Sequence, residues 1–271
     1  MISRLNLYDA NGNKINMESI GLFGLKLHIP GPSYTTIKES LDDGRTIILD
    51  KQLNPRQLVA EFMSKGKDYK DSLLLRDDLF RLLGTGEEMY VGESFLSGKR
   101  WRVHFEDWEP ERVSRRVSKV DIPLFCSSGL SESVGTTLDE LTFDIEKWQT
   151  GQGLETEEPK YVHQTSSFKI FNAGDVPVDP RKRDLKIIFK GPSTNLKITN
   201  NTTGDVWQYN GSSTVNDTIT LDGVRSLKNG ASIFGQTNKK LISLLPDWND
   251  FTITGASGSF LITFDFRFYY L

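Results

Sequence analysis

The last twelve residues, FLITFDFRFYYL, alternate without interruption. Phe260, Ile262, Phe264, Phe266, Phe268 and Tyr270 share one face of an extended chain, and Leu261, Thr263, Asp265, Arg267 and Tyr269 share the other. A period of two is the signature of a strand with one face in a core. Burying each of those aromatic side chains stabilises by about 1.5–3 kcal/mol before entropy is charged, so truncation here is expected to cost the fold. A chain that ends on such a strand belongs to a largely β protein.

The strand is the last of a series. From Ser166 onward short apolar runs recur: Phe168–Phe171, Leu185–Phe189, Leu196–Thr199, Val206–Tyr209, Thr218–Leu221, Leu241–Leu245 and Phe251–Thr254. Turn residues separate them, among them Asn210-Gly211, Asp222-Gly223 and Asn229-Gly230. This spacing predicts an all-β sandwich.

The first half reads differently. Arg4–Tyr8 is short and apolar and runs into Asn11-Gly12, a hairpin signal. Leu25, Leu27 and Ile29 alternate with Lys26 and His28. Residues 33–56 are polar, with Asp42-Asp43-Gly44 between Ile37 and Thr46–Leu49, and predict an extended hairpin with few large apolar residues of its own. Such an arm could lie on a neighbouring subunit or be an ordinary surface hairpin. Strands follow at Gln57–Met63, Met89–Val91, Trp101–Phe105 and Val113–Phe125, where Val120, Ile122 and Leu124 share a face. Between them lies one helix, with Ser72 as its expected N-cap, Leu75, Leu79, Leu82 and Leu83 on one stripe, and Gly84 ending it.

Residues 126–164 are small, polar and in part acidic. The domain boundary is expected near residue 130: residues 1–130 form a β domain with one helix, and residues 131–271 the sandwich. A chain of 271 residues accommodates two such domains.

Composition excludes several functions. The net charge is −3 with 25% charged residues, which gives no support for a nucleic-acid footprint. One cysteine, Cys126, cannot build an intrachain disulfide framework and ends the apolar run Ile122–Cys126, so a buried thiol is expected. No apolar stretch reaches the roughly 20 residues of a membrane span, and the N-terminus lacks the apolar core of a signal peptide, so use without secretion or membrane insertion is expected.

Catalytic constellations are not evident. His28, His104 and His163 are scattered, without metal-ligand spacing. Gly84-Thr-Gly86 follows a helix and so cannot offer a helix N-terminus to phosphate. Gly255-Ala-Ser-Gly258 lacks the spacing of a nucleophile elbow and reads as a hairpin turn. The acidic pairs Asp42-Asp43, Asp77-Asp78, Glu87-Glu88 and Glu157-Glu158 are sequence neighbours, whereas glycoside hydrolysis needs carboxylates facing each other across a cleft. No catalytic, cofactor or metal residue is assigned. The triplets at Asn200, Asn201 and Asn216 match the glycosylation pattern but read as polar turns. Trp207, Tyr209 and Trp248 are the candidate carbohydrate contacts, since aromatic faces suit sugar rings. Trp207 and Tyr209 are two apart, so a core role explains them equally well.

Several segments resemble the distal tail proteins of siphophages that infect Gram-positive bacteria. FKIFNAGDVPVDP (Phe168–Pro180) is similar to that family's strand, Asn-x-Gly turn and following Pro. LISLLPDWNDFTITG (Leu241–Gly255) is similar to its L-x-P-G-x-N segment, with Asp247-Trp248 in place of the glycine. The closing strand, RDDLFRLLGTGEEMYVG (Arg76–Gly92) and GKRWRVHF (Gly98–Phe105) fall in the family's order, and the resemblance covers essentially the whole chain. It implies an N-terminal β domain with a belt-like hairpin, a galectin-like C-terminal sandwich, and a non-enzymatic hexameric ring at the virion tail tip, made in the host cytoplasm. The implied partners are the tail tube protein, the tail-associated protein and receptor-binding or baseplate proteins. The alternative is a carbohydrate-binding module that touches a host cell-wall saccharide.

Overall fold

The computed structural model describes residues 3–142, 147–154 and 159–271. It divides the chain into two compact units, Met1–Glu132 with Leu271, and Ser133–Tyr270. Among the described residues the protein is mainly β with one α-helix, as its sequence pattern predicts.

The first unit contains strands β1 (Leu5–Tyr8), β2 (Leu22–His28), β3 (Tyr34–Ser40), β4 (Thr46–Leu53) and β5 (Arg56–Lys65), helix α1 (Tyr69–Leu83), then β6 (Met89–Glu93), β7 (Lys99–Phe105), β8 (Glu111–Arg112) and β9 (Val117–Cys126). The main sheet runs β1-β6-β7-β9-β5-β2. Its spine is β5 on β9, antiparallel from Arg56↔Cys126 to Lys65↔Val117. Alternation places Leu58, Ala60 and Phe62 opposite Leu124, Ile122 and Val120, all buried. Cys126 is buried at the end of that row.

The two edges of this sheet approach each other. Arg4 N donates to Gly24 O at 2.8 Å. A Cβ on Gly24 would stand 2.6 Å from that of Leu5, so only glycine lets the strands come this close. A bulge follows between Gly24 and Lys26. Past it the expected alternation fades: Leu27 is buried, Leu25 is half-buried, and Ile29 lies beyond the strand and exposed.

Helix α1 covers the core with Leu79 and Leu83. Its N-cap is Asp68, whose side chain accepts from Asp71 N at 2.9 Å, whereas Ser72, the expected cap, is buried inside the first turn. The stretch 69–72 carries no apolar stripe, so the periodic pattern begins a turn later than the helix does. The expected strand Val113–Phe125 is a hairpin: β8 pairs with β9, and Val113 is exposed in the turn.

β10 (Ser131–Ser133) lies where the units divide. The second unit contains β11 (Val162–His163), β12 (Ser167–Asn172), β13 (Leu185–Lys190), β14 (Ser193–Asn200), β15 (Asp205–Gln208), β16 (Ser212–Ser213), β17 (Thr218–Asp222), β18 (Arg225–Lys228), β19 (Ala231–Ser232), β20 (Asp247–Ala256), β21 (Leu261–Phe266) and β22 (Tyr269–Tyr270). Sheet β11-β21-β13-β17-β18-β19 faces sheet β12-β20-β14-β15. Their inner faces meet in an aromatic core, with Phe264 edge-on to Phe251 at 4.9 Å and to Phe168 at 5.9 Å. The Asn229-Gly230 turn between β18 and β19 has both residues at positive φ, 51° and 82°, as a two-residue hairpin loop requires.

Two expectations in this unit need correction. Gly255–Gly258 is no hairpin turn: β20 and β21 belong to different sheets, so the segment crosses the sandwich. Leu241–Leu245 forms no strand beyond the bridge Leu244↔Val178. Side chains take its amides, with Ser243 N bonded to Asp205 Oδ2 and Leu245 N to Asn249 Oδ1, both at 2.9 Å. The polar stretch after residue 130 is packed as well. Thr137 and Ser133 bond the backbone of residues 264–268, and Trp148 lies against the Phe268 ring.

Candidate functional site

The three aromatic residues that suggest sugar binding do not converge. Trp207 is wholly buried and its Nε1 donates to Ser226 Oγ at 3.1 Å. Tyr209 is buried, with Gly211 packed against its ring. Trp207 pairs with Ile198, which pairs with Ile253, and all three point into the sandwich. Trp248 is an odd number of residues from Ile253 on the same strand, hence on the outer face. There it is half-buried against Phe171, ring centroids 5.0 Å apart.

The polar candidates are equally dispersed. His28 bonds Glu61 at 2.6 Å, His104 reaches Glu88 at 3.2 Å, and His163 stacks on Phe168. Among the described residues no group of three or more His, Cys, Asp and Glu could hold a metal ion. No described helix is long and apolar enough to cross a membrane. Asp42-Asp43 lies in a turn, Asp77-Asp78 on α1 and Glu87-Glu88 before β6, while Glu157-Glu158 lies outside the described residues. Of the glycosylation triplets, Asn200 is wholly buried and donates to Ser243 O and Asn249 Oδ1.

What stands out is the hairpin β3–β4. Among the described residues its strands pair only with each other, and their side chains are almost all exposed. Gly44 turns the tip at φ +81°, and Arg45 beside Asp43 holds that carboxyl below the usual carboxylate range. At the root, Asn54 ties to Ser33 and Thr35. An isolated two-stranded hairpin is marginal in water, yet this one exposes Ile37, Ile47, Ile48 and Leu49. The register pairs Ile37 with Asp50 and Glu39 with Ile47, so one face carries two isoleucines and two carboxylates.

A second apolar feature escaped the sequence reading. Phe95 is 82% exposed and Leu96 is exposed beside it, in the loop from β6 to β7. The available signal was a large apolar pair between Gly92 and Gly98, where a turn needs neither.

Comparison with known proteins follows the same lines. Residues 15–126, which include the hairpin, match the phage tail protein RIFT-related domain. No curated protein sequence matches the chain. Among solved structures the chain is similar to the Dit protein of phage SPP1, described as a paradigm of the hub adsorption apparatus in Gram-positive infecting phages. The TM-score is 0.70 over 97% of this chain and 99% of that one, at 14% identity. It is also similar to a chain of the phage p2 baseplate in its activated conformation with strontium, with a TM-score of 0.51, 98% of each chain covered and 9% identity. At such identities the likeness is one of fold. The resemblance to siphophage distal tail proteins read from the sequence is borne out by the tail-protein domain and by this fold.

Proposed function

We propose that this chain, which pairs a phage tail protein domain with the fold of a siphophage distal tail protein, is the distal tail protein of a phage of Gram-positive bacteria: a structural hub of the tail tip. Six copies form a ring around the tail channel, between the tail tube protein and the tail-associated protein. The first unit makes the ring. The second is a galectin-like sandwich that docks receptor-binding or baseplate proteins. On this reading the protein works in the virion and catalyses nothing.

The observation that carries the reading is the hairpin Tyr34–Leu53, exposed along its length and paired with nothing else among the described residues. A chain that held such an arm in water alone would gain little from it. A ring supplies the missing contact, because an arm on one copy and an acceptor elsewhere on the next make a head-to-tail interface that closes on rotation.

Replacing residues 35–52 with a short Gly-Ser loop tests this. The shortened chain should still unfold cooperatively, since no residue of 35–52 is among the buried core residues, and should no longer form rings. Rings that persist without the hairpin would overturn its assigned role.

A further inference from the structure

We propose that the acceptor for the hairpin is the seam between β1 and β2 on the neighbouring copy, an inference that rests on the ring reading above. The seam is where the sheet edges stop pairing. They touch at Leu5 and Gly24 and then part after the bulge, leaving a groove of about 290 Å³ whose lining includes Leu25, Leu27, Phe95 and Leu96. Phe95 is 82% exposed and lies outside the hydrophobic core of the unit that carries it.

The occupant is a second copy's β3–β4, and charge selects which face it presents. Arg4 and Lys26 flank the groove, both exposed, against the single acid Glu93 in its lining. The hairpin face with Ile37 and Ile47 carries Glu39 and Asp50 in the same four-residue patch. The opposite face carries Lys38 and Lys51 around Ile48 and would set like charges against Arg4 and Lys26. Isoleucines against Leu25, Phe95 and Leu96, with carboxylates against the two cations, is the arrangement that buries apolar area and pairs charge together.

The contact is heterologous: arm and seam are different surfaces of one chain, so each copy gives one and receives one. An engineered cysteine pair reads this directly. The native Cys126 is wholly buried and does not compete. A chain carrying both I47C and L96C should, under a mild oxidant, cross-link into a ladder that reaches six copies. A mixture of I47C chains with L96C chains should stop at dimers, and each alone should not cross-link. A charge reversal supplies the second reading: R4E with K26E should dissolve rings, and adding E39K with D50K to the same chain should restore them.

Rings that form but cross-link through I47C and F80C, on the helix, while I47C and L96C stay unlinked, would overturn the seam and leave the ring standing. Rings unaffected by R4E with K26E would do the same. A protein that stays monomeric would overturn the ring itself, and this inference with it.

Discussion

The Asn200 side chain donates to the Oδ1 of Asn249 at 3.1 Å, and both residues have no solvent exposure. Asn249 holds a three-residue turn besides. It accepts from Leu245 N at 2.9 Å and donates to Leu245 O and Asp247 O. Asn200 in turn donates to Ser243 O and accepts from Thr202 N. This amide pair ties the segment before β20 to the end of β14. A buried polar group left unsatisfied costs about 1–3 kcal/mol, and Asn249→Ala would remove four hydrogen bonds at once. We expect Asn249→Ala to destabilise by about 3 kcal/mol in urea unfolding of the intact chain. A loss within about 0.5 kcal/mol, the range of ordinary surface changes, would show that the network does not hold the turn.

Asp247 sits at φ +74°, a left-handed backbone that favours glycine. Its own Oδ1 accepts from Trp248 N at 2.9 Å, which offsets part of the strain. Left-handed backbone costs a side chain about 1–2 kcal/mol. Asp247→Gly should therefore raise the thermal midpoint slightly, and Asp247→Val should lower stability by about 1–2 kcal/mol. If valine were as stable as aspartate, the positive φ would not be the constraint.

Arg100 and Glu132 form a buried ion pair at 2.8 Å, with the guanidinium 3.8 Å above the Tyr90 ring. Removing one partner of a buried ion pair costs about 3–5 kcal/mol. Arg100→Gln and Glu132→Gln should each cost on that scale, and the double variant less than their sum. Additive losses in the double-mutant cycle would contradict direct pairing.

Asp217 accepts from Thr214 N, from the Asn229 amide and from Lys228, and these bonds hold its pKa well below the usual carboxylate range. A carboxylate whose folded pKa is depressed stabilises the fold above its unfolded pKa. That contribution is lost as pH falls through the folded value. The second unit should thus be insensitive to this group above about pH 5 and lose stability progressively below about pH 4, where the unfolded acid starts to bind protons. Asp217→Asn should flatten part of that slope. An unchanged acid-unfolding profile would remove Asp217 from the account.

The features legible in the sequence are those whose period follows from burial alone. The closing strand keeps its alternation from Leu261 to Phe268, with Ile262, Phe264, Phe266 and Phe268 buried, but Phe260 is half-buried, Arg267 and Phe268 break the ladder into β21 and β22, and Tyr269 is buried beside Tyr270. The stripe of α1 and the polar hairpin are legible for the same reason: one face is buried, or neither is. The errors lie where side chains take over the backbone's hydrogen bonds. Asp205 and Asn249 cap Leu241–Leu245, and Ser133 and Thr137 cover the backbone of residues 264–268. Hydrophobic pattern carries no trace of such bonds. Trp207 shows the limit for sites. An aromatic residue on a strand reads alike whether it faces sugar or core, and here Ser226 satisfies its indole inside the sandwich.

The most direct measurement is the solution mass of the intact protein by light scattering, with negative-stain images of the same sample. The account predicts six copies of the 30.7 kDa chain, about 184 kDa, seen as rings with an open centre. A monomer at every concentration, with no ring in the images, would contradict it.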